Sequence, residues 1–296
     1  MKSIPAICAI ALVAFLFVYT NPVSGQVELP RKSPRASVSY TVGLTDITIR
    51  YSSPAVNGRS IWGNLVPYNQ IWRAGANEAT TIEVSTDVRI EGQYLPKGKY
   101  TFFLIPLEGA TWTAIFNRSS DQWGAYSYDE SEDALRTPVQ VKTADYLEER
   151  LSYHLSDAGL GKGYIRMWWE NKQVFIHVET DVIRQVLDNM ESTISKASED
   201  RKWELYTQAA DFLVNSGDEH YLDQALKYAN LSTSMLNHSW NWWVKAQVLA
   251  KKGEYRQAVS SANKSIDAGK NNAADSFYAN TKAHIEQAIS EWKSKI

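Results

Sequence analysis

The side chains best equipped for chemistry crowd into one segment, Ser53 to Thr81. There Arg59, Arg73, Asn77 and Glu78 lie among the indoles of Trp62 and Trp72. An arginine and a glutamate form an ion pair, an asparagine donates and accepts at once, and an indole offers a flat apolar face with one N–H. Such a set suits a sugar or other small polar ligand, held in an aromatic cup with Arg73 paired to Glu78. The same residues also suit a structural plug in which that pair merely fixes the loop. A second stretch, Asn117–Arg136, adds Asn117 at a strand end and the aromatic rings of Trp123, Tyr126 and Tyr128. Its acids, Asp129, Glu130, Glu132 and Asp133, lack the ligand spacing of a calcium loop and read as a solvated turn.

Other chemistries find less support. The single cysteine, Cys8, sits in an N-terminal apolar run, so neither a disulfide framework nor a cysteine-based metal or nucleophile site is expected. No G-x-S-x-G elbow, H-E-x-x-H helix or phosphate-binding loop occurs. The five histidines show no close ligand spacing, although His154 and His177 fall on strands that could be neighbours. Glycoside hydrolysis needs two carboxylates about 5 to 10 Å apart. Glu78 could be one, with Arg73 positioning substrate, but the sequence does not supply the other. No metal and no cofactor is called for, and the residues weigh toward binding over catalysis.

These loops need elements to hold them. From about 36 to 182 the hydrophobic pattern has period two, as in Ser37–Val42 and Asp46–Tyr51, with Gly and Pro between the runs. Roughly nine short strands without helical crossovers predict an antiparallel β-sandwich or jelly-roll-like domain. Its last two strands, Gly163–Glu170 and Gln173–Glu179, are expected to turn at Asn171-Lys172. A loop as long as 53–81 is functional or disordered in a compact domain. Its many apolar residues, Ile61 and Val66 among them, predict a lid folded over one end of the β layers.

After Asp181 the period becomes helical. Ile183, Val186, Leu187, Met190 and Ile194 share one face of a linker helix over 183–198. Over 199–296 a repeat appears at an offset of 33 residues: Ala225 matches Ala258, Ala229 matches Ala262, and Ser232 matches Ser265. With Trp242, Ala246 and the Gly253 turn it resembles the tetratricopeptide repeat, a helix-hairpin array that docks proteins. The first copy carries about three extra residues at its turn, and a closing helix follows from Asn272. The fold class is therefore α+β multidomain, a β-sandwich followed by a TPR-like array. Two copies and a cap are short for independent stability, so the array is expected to lean on the β domain through the linker helix.

The ends and the charge set the compartment. Met1-Lys2, an apolar run from Ile4 to Tyr19, and Val23-Ser-Gly25 form a signal-peptide pattern, 1–25, with a short linker over 26–35. The run falls below the roughly 20 residues needed to span a bilayer, so no membrane span is expected after cleavage and the protein is exported, periplasmic or secreted. With 31 basic against 33 acidic residues, a general electrostatic grip on nucleic acid is not expected.

The blocks Gly58–Trp62, Leu65–Pro67 and Ile71–Thr81 resemble the signature of domain-of-unknown-function family 2911. Leu95–Tyr100, Trp112, Phe116-Asn117 and Trp123-Gly124 fall at its later motifs. The resemblance covers about 31–182. It implies an exported β-rich domain, in some Bacteroidetes members with a helical tail like 190–296, and it assigns no catalytic residue. Three readings stay open. One is a binding or scaffold protein with a glycan or small polar ligand on the β domain and a protein partner on the helices. The others are a carbohydrate-active hydrolase using Glu78 and Arg73, and a purely structural envelope protein.

Overall fold

Alternation of side chains along the strands decides how the β region closes. In the computed structural model, which describes residues 29–120, 122–272 and 274–296, it contains β1 (Arg35–Val42), β2 (Thr45–Ser52), β3 (Thr81–Val84), β4 (Val88–Ile90), β5 (Gln93–Leu95), β6 (Gly98–Ile105), β7 (Thr111–Asn117), β8 (Asp133–Gly159) and β9 (Lys162–Glu179). The expected signal peptide, its cleavage point and Cys8 lie outside the described residues. All nine strands join one antiparallel sheet in the order β1-β2-β3-β6-β7-β8-β9-β4-β5. In β2, Ile47 and Ile49 are fully buried while Asp46 and Arg50 face out, as period two requires.

One sheet supplies both layers, because it rolls back on itself. The chain leaving β2 zips onto the far half of β8: the Val56 N–H donates to the Glu149 carbonyl at 2.7 Å and the Leu151 N–H to the Pro54 carbonyl at 3.0 Å. The roll encloses a single core to which every strand from β2 to β9 contributes, including Ile49, Phe102, Trp112, Tyr153 and Trp169. β8 and β9 are long enough to serve both layers because they bend, with register shifts between Thr143 and Ser152.

The expected turn at Asn171-Lys172 is not there. β9 runs unbroken through it, with Glu170 at φ 50° as a kink, and the hairpin instead turns at Gly159-Leu160-Gly161. Both glycines there have positive φ, 122° and 67°, which a side chain disfavours. A polar dipeptide in a bent strand imitates a turn signal; the paired glycines are the turn.

The helical region comprises α1 (Val182–Lys196), α2 (Glu199–Asn215), α3 (Leu222–Met235), α4 (Ser239–Lys251), α5 (Tyr255–Lys270) and α6 (Ser276–Lys293). The α1 stripe Ile183, Leu187, Met190 and Ile194 packs into the α2–α3 cluster. At its other end the Gln185 amide donates to the Thr45 and Thr86 hydroxyls at 3.1 and 2.9 Å, so α1 ties the helices to the sheet. The repeat is visible in bonds as well as in letters. Ser232 donates its hydroxyl to the Trp203 carbonyl at 2.8 Å, and Ser265 donates to the Ser239 carbonyl at 2.7 Å. The extra residues of the first copy form a short 3₁₀ turn, Glu219–Tyr221, before α3.

Gly269 in the last turn of α5 shows how tightly α6 sits. A Cβ there would lie 2.1 Å from Tyr278 Cγ and 2.5 Å from its Cβ. Alanine normally gains about 1 kcal/mol over glycine inside a helix, but overpacking against the root of a side chain costs about 1–3 kcal/mol. Gly269→Ala is therefore expected to lower the thermal midpoint, against the helix-propensity rule, as differential scanning calorimetry would show.

Candidate functional site

The outer face of β1, β2, β3 and β6 is built from polar residues placed by register. Arg35 stands opposite Ser52, Ser37 opposite Arg50, Arg50 opposite Thr81, and Glu83 opposite Lys99. Because alternate residues share a face, these positions form a floor of hydroxyls and charges over the buried Ile49 and Ile82. The two long loops build its wall. The Ala79 N–H donates to the Gln122 carbonyl at 2.9 Å and the Gly124 N–H to the Asn77 carbonyl at 3.1 Å, a short strand-like stitch that sets Glu78 beside Trp123. Between floor and wall lies a cleft of about 590 Å³, lined by Arg35, Ser37, Arg50, Ser52, Glu78 and Trp123 with Tyr51, Thr81, Lys99 and Gln122.

The charges in the cleft are paired. The Arg35 guanidinium donates to Glu78 Oε1 at 2.6 Å, and the Ser52 hydroxyl lies 3.4 Å from Glu78 Oε2. Arg50 reaches Glu83 at 3.0 Å. Exposed pairs of this kind add little stability, about 0–1 kcal/mol. What they do provide is a set of in-plane donors and acceptors at fixed positions. Trp123 is 57% exposed, so its ring face is open to a ligand. Glu78 is the only carboxylate among the described residues that line the cleft.

The structure thus brings two of the nine expected site residues into this cleft, Glu78 and Trp123, and sends the others elsewhere. The expected Arg73–Glu78 pair does not form: Arg35 holds Glu78, while Arg73 Nε is buried with no partner among the described residues. Arg73 instead passes close under Gly124, where a Cβ would lie 2.9 Å from its Nη1. Trp62 and Trp72 form no cup. They pack with Trp112 and Trp169, at ring separations of 4.8 Å for Trp62–Trp112 and 5.9 Å for the stacked Trp72–Trp169. The lid reading of 53–81 does hold: Ile61, Val66 and Ala74 are buried in the main core, and Trp72 exchanges backbone bonds with Leu104 at 2.8 and 2.9 Å.

Arg59 folds back on its own turn, donating Nε to the Val56 carbonyl at 3.0 Å. Asn77 adopts φ 57°, a left-handed conformation that asparagine tolerates, and serves through its backbone. Tyr126 is 87% exposed and lies outside the cleft lining. Asn117, fully buried, is a clamp. Its amide donates to the Asp129 carbonyl at 2.8 Å and Asp133 Oδ1 at 2.9 Å, and its carbonyl accepts from the Ser119 N–H at 3.1 Å and Gln122 Nε2 at 3.3 Å. Tyr128 secures the same loop through Asp133 at 2.6 Å; burial, with that bond, pushes its phenol well above the usual range. Three of the loop's acids make such contacts: Asp133 with Asn117 and Tyr128, Glu130 with Arg136, and Asp129 accepting from Ser131, which holds its carboxyl below the usual value.

His154 stands across from Arg166, and burial with that cation lowers its pKa. His177 is held by Glu91 at 3.0 Å, far along β9, so the two histidines do not meet. Among the described residues no group of three His, Cys, Asp or Glu is arranged to hold a metal ion. No described helix is long and apolar enough to cross a membrane.

The enclosed roll, its stitched lid and the motif residues that build them all fall within one stretch. Residues 33–178 match the protein family of unknown function DUF2911. That span runs from the start of the floor to the last residues of β9, so the cleft lies within the matched region. No curated protein and no solved structure matches the chain.

Proposed function

We propose that this protein is an exported binding protein whose DUF2911 region holds a neutral glycan or similar polyhydroxyl ligand in the Trp123 cleft. One observation carries the reading: an open indole face stands over a floor of hydroxyls and paired charges. A pyranose ring presents an apolar face to stack on an aromatic ring and equatorial hydroxyls that need both donors and acceptors. Arg35 and Arg50 supply donors, Glu78 and the Ser37, Ser52 and Thr81 hydroxyls supply acceptors, and the pairing of Arg35 with Glu78 and of Arg50 with Glu83 favours an uncharged ligand over an anion. Hydrolysis draws no support, since Glu78 has no second carboxylate in the described lining. The signal-peptide pattern supports export, and the helical array, with its tetratricopeptide-like spacing, supports docking of a protein partner.

Screening the mature protein on an array of neutral and acidic oligosaccharides tests this. The wild type should retain neutral sugars, and Trp123→Ala should bind them at least about tenfold more weakly with an unchanged unfolding midpoint. A wild type that retains nothing would overturn the reading.

A further inference from the structure

A second groove, of about 430 Å³, runs along α2 between the helical array and the tip of the β8–β9 hairpin. Leu160 from that tip, Phe212 from α2 and Trp240 from α4 form its apolar walls, and Gln208, Asp211 and Asn215 bring polar groups into it. Leu160 is 48% exposed, although a hairpin turn needs no such apolar residue between its two glycines.

Asp211 brings the one charge among the described residues that line the groove. It is only partly exposed, its one hydrogen-bond partner is the Asn215 side chain at 2.9 Å, and it joins no ion pair among the described residues. Burial pushes its carboxyl up, partly offset by the Asn215 amide. A half-buried carboxylate facing aromatic walls costs free energy unless a cation meets it, and no other charged residue lines the groove. Its net charge is therefore −1, and its complement is a single cation on an apolar stem. Lysine and arginine have that form: the stem lies along apolar surface while the head seeks a carboxylate. The Gln208 amide, exposed and without a bonded partner among the described residues, is placed to meet the backbone of an extended chain.

We infer that this groove docks an extended polypeptide segment through one lysine or arginine side chain, which lies between Phe212 and Trp240 and ends on Asp211. The inference rests on the helical array being a docking surface and is independent of the sugar cleft.

The test uses the full mature chain and ¹⁵N NMR titration with acetylated, amidated pentapeptides Gly-Ala-X-Ala-Gly, where X is lysine, arginine, norleucine or glutamate. The lysine and arginine peptides should shift the Asp211 amide and the Trp240 indole. Asp211→Asn, isosteric and able to keep its Asn215 contact, should weaken them by roughly tenfold or more, and Asp211→Glu should restore part of the binding. Equal binding of the norleucine peptide would overturn the charge-directed part while leaving docking standing; silence from all four would overturn docking as well. Concentration-dependent dimerisation in sedimentation equilibrium that Asp211→Asn abolishes would assign the groove to a second copy of the chain, and so overturn the proposal too.

Discussion

Trp62→Ala should lower the unfolding free energy by about 3 kcal/mol, the low end of the range for removing a large aromatic side chain, because Trp62 packs against the core while only partly buried. Trp62 is the centre of a four-indole cluster, 4.8 Å from Trp112, 5.7 Å from Trp72 and 5.8 Å from Trp169. Removing it opens a void beneath the lid and takes edge-to-face contacts from Trp72 and Trp169 and a tilted one from Trp112, each such contact being worth about 0.5–1.5 kcal/mol. One feature works the other way. The Trp62 N–H is buried with no acceptor among the described residues, so Trp62→Phe deletes an unsatisfied donor together with part of the ring. It should cost clearly less than alanine. Urea unfolding followed by circular dichroism measures both, and a Trp62→Ala protein of wild-type stability would show that the lid is not part of the core.

The second large effect is expected at Asn117. Alanine there deletes four hydrogen bonds at once: it strands the Asp129 carbonyl and the Ser119 N–H, and it takes one partner each from the Asp133 carboxylate, which keeps Tyr128, and the Gln122 amide, which keeps the Ser119 carbonyl. Each buried group left unmade costs about 1–3 kcal/mol, less whatever water regains by entering, so a total near 2–4 kcal/mol is expected. The damage should be local. The 118–132 loop loses its latch and Trp123 its fixed wall, so limited proteolysis should cut within 118–132 in Asn117→Ala under conditions that leave the wild type whole. Sugar binding should fall with it, although Asn117 lies outside the cleft lining and meets it only through Gln122.

Why the sequence made the aromatic cup plausible is plain from these two residues. Trp62 and Trp72 carry the chemistry of a binding platform, but composition does not tell an indole turned into a core from one turned to solvent. Burial is a property of the roll, decided by how residues 53–56 zip onto 149–151, a contact nearly a hundred positions apart in the chain. Asn117 at a strand end reads equally as a ligand donor and as a clamp until Asp129 and Asp133 are seen beneath it. Periodicity, by contrast, is local, so β2, the linker helix and the Gly253 turn were all legible, as was the ordered lid. The floor of the cleft was half legible. Alternation places Arg35 with Ser37, and Arg50 with Ser52, on one face. That the two strands pair with Arg35 opposite Ser52, and that Glu78 comes to rest against Arg35 rather than Arg73, follows from register alone.

The eleven tryptophans of the chain make the central claim directly measurable, because each contributes one indole ¹⁵N–H signal. With the oligosaccharide best retained on the array as titrant, the Trp123 signal should shift and saturate at the array affinity while those of Trp62 and Trp72 stay in place. Movement of the Trp62 and Trp72 signals with Trp123 unmoved would place the sugar in the aromatic core and contradict the cleft described above.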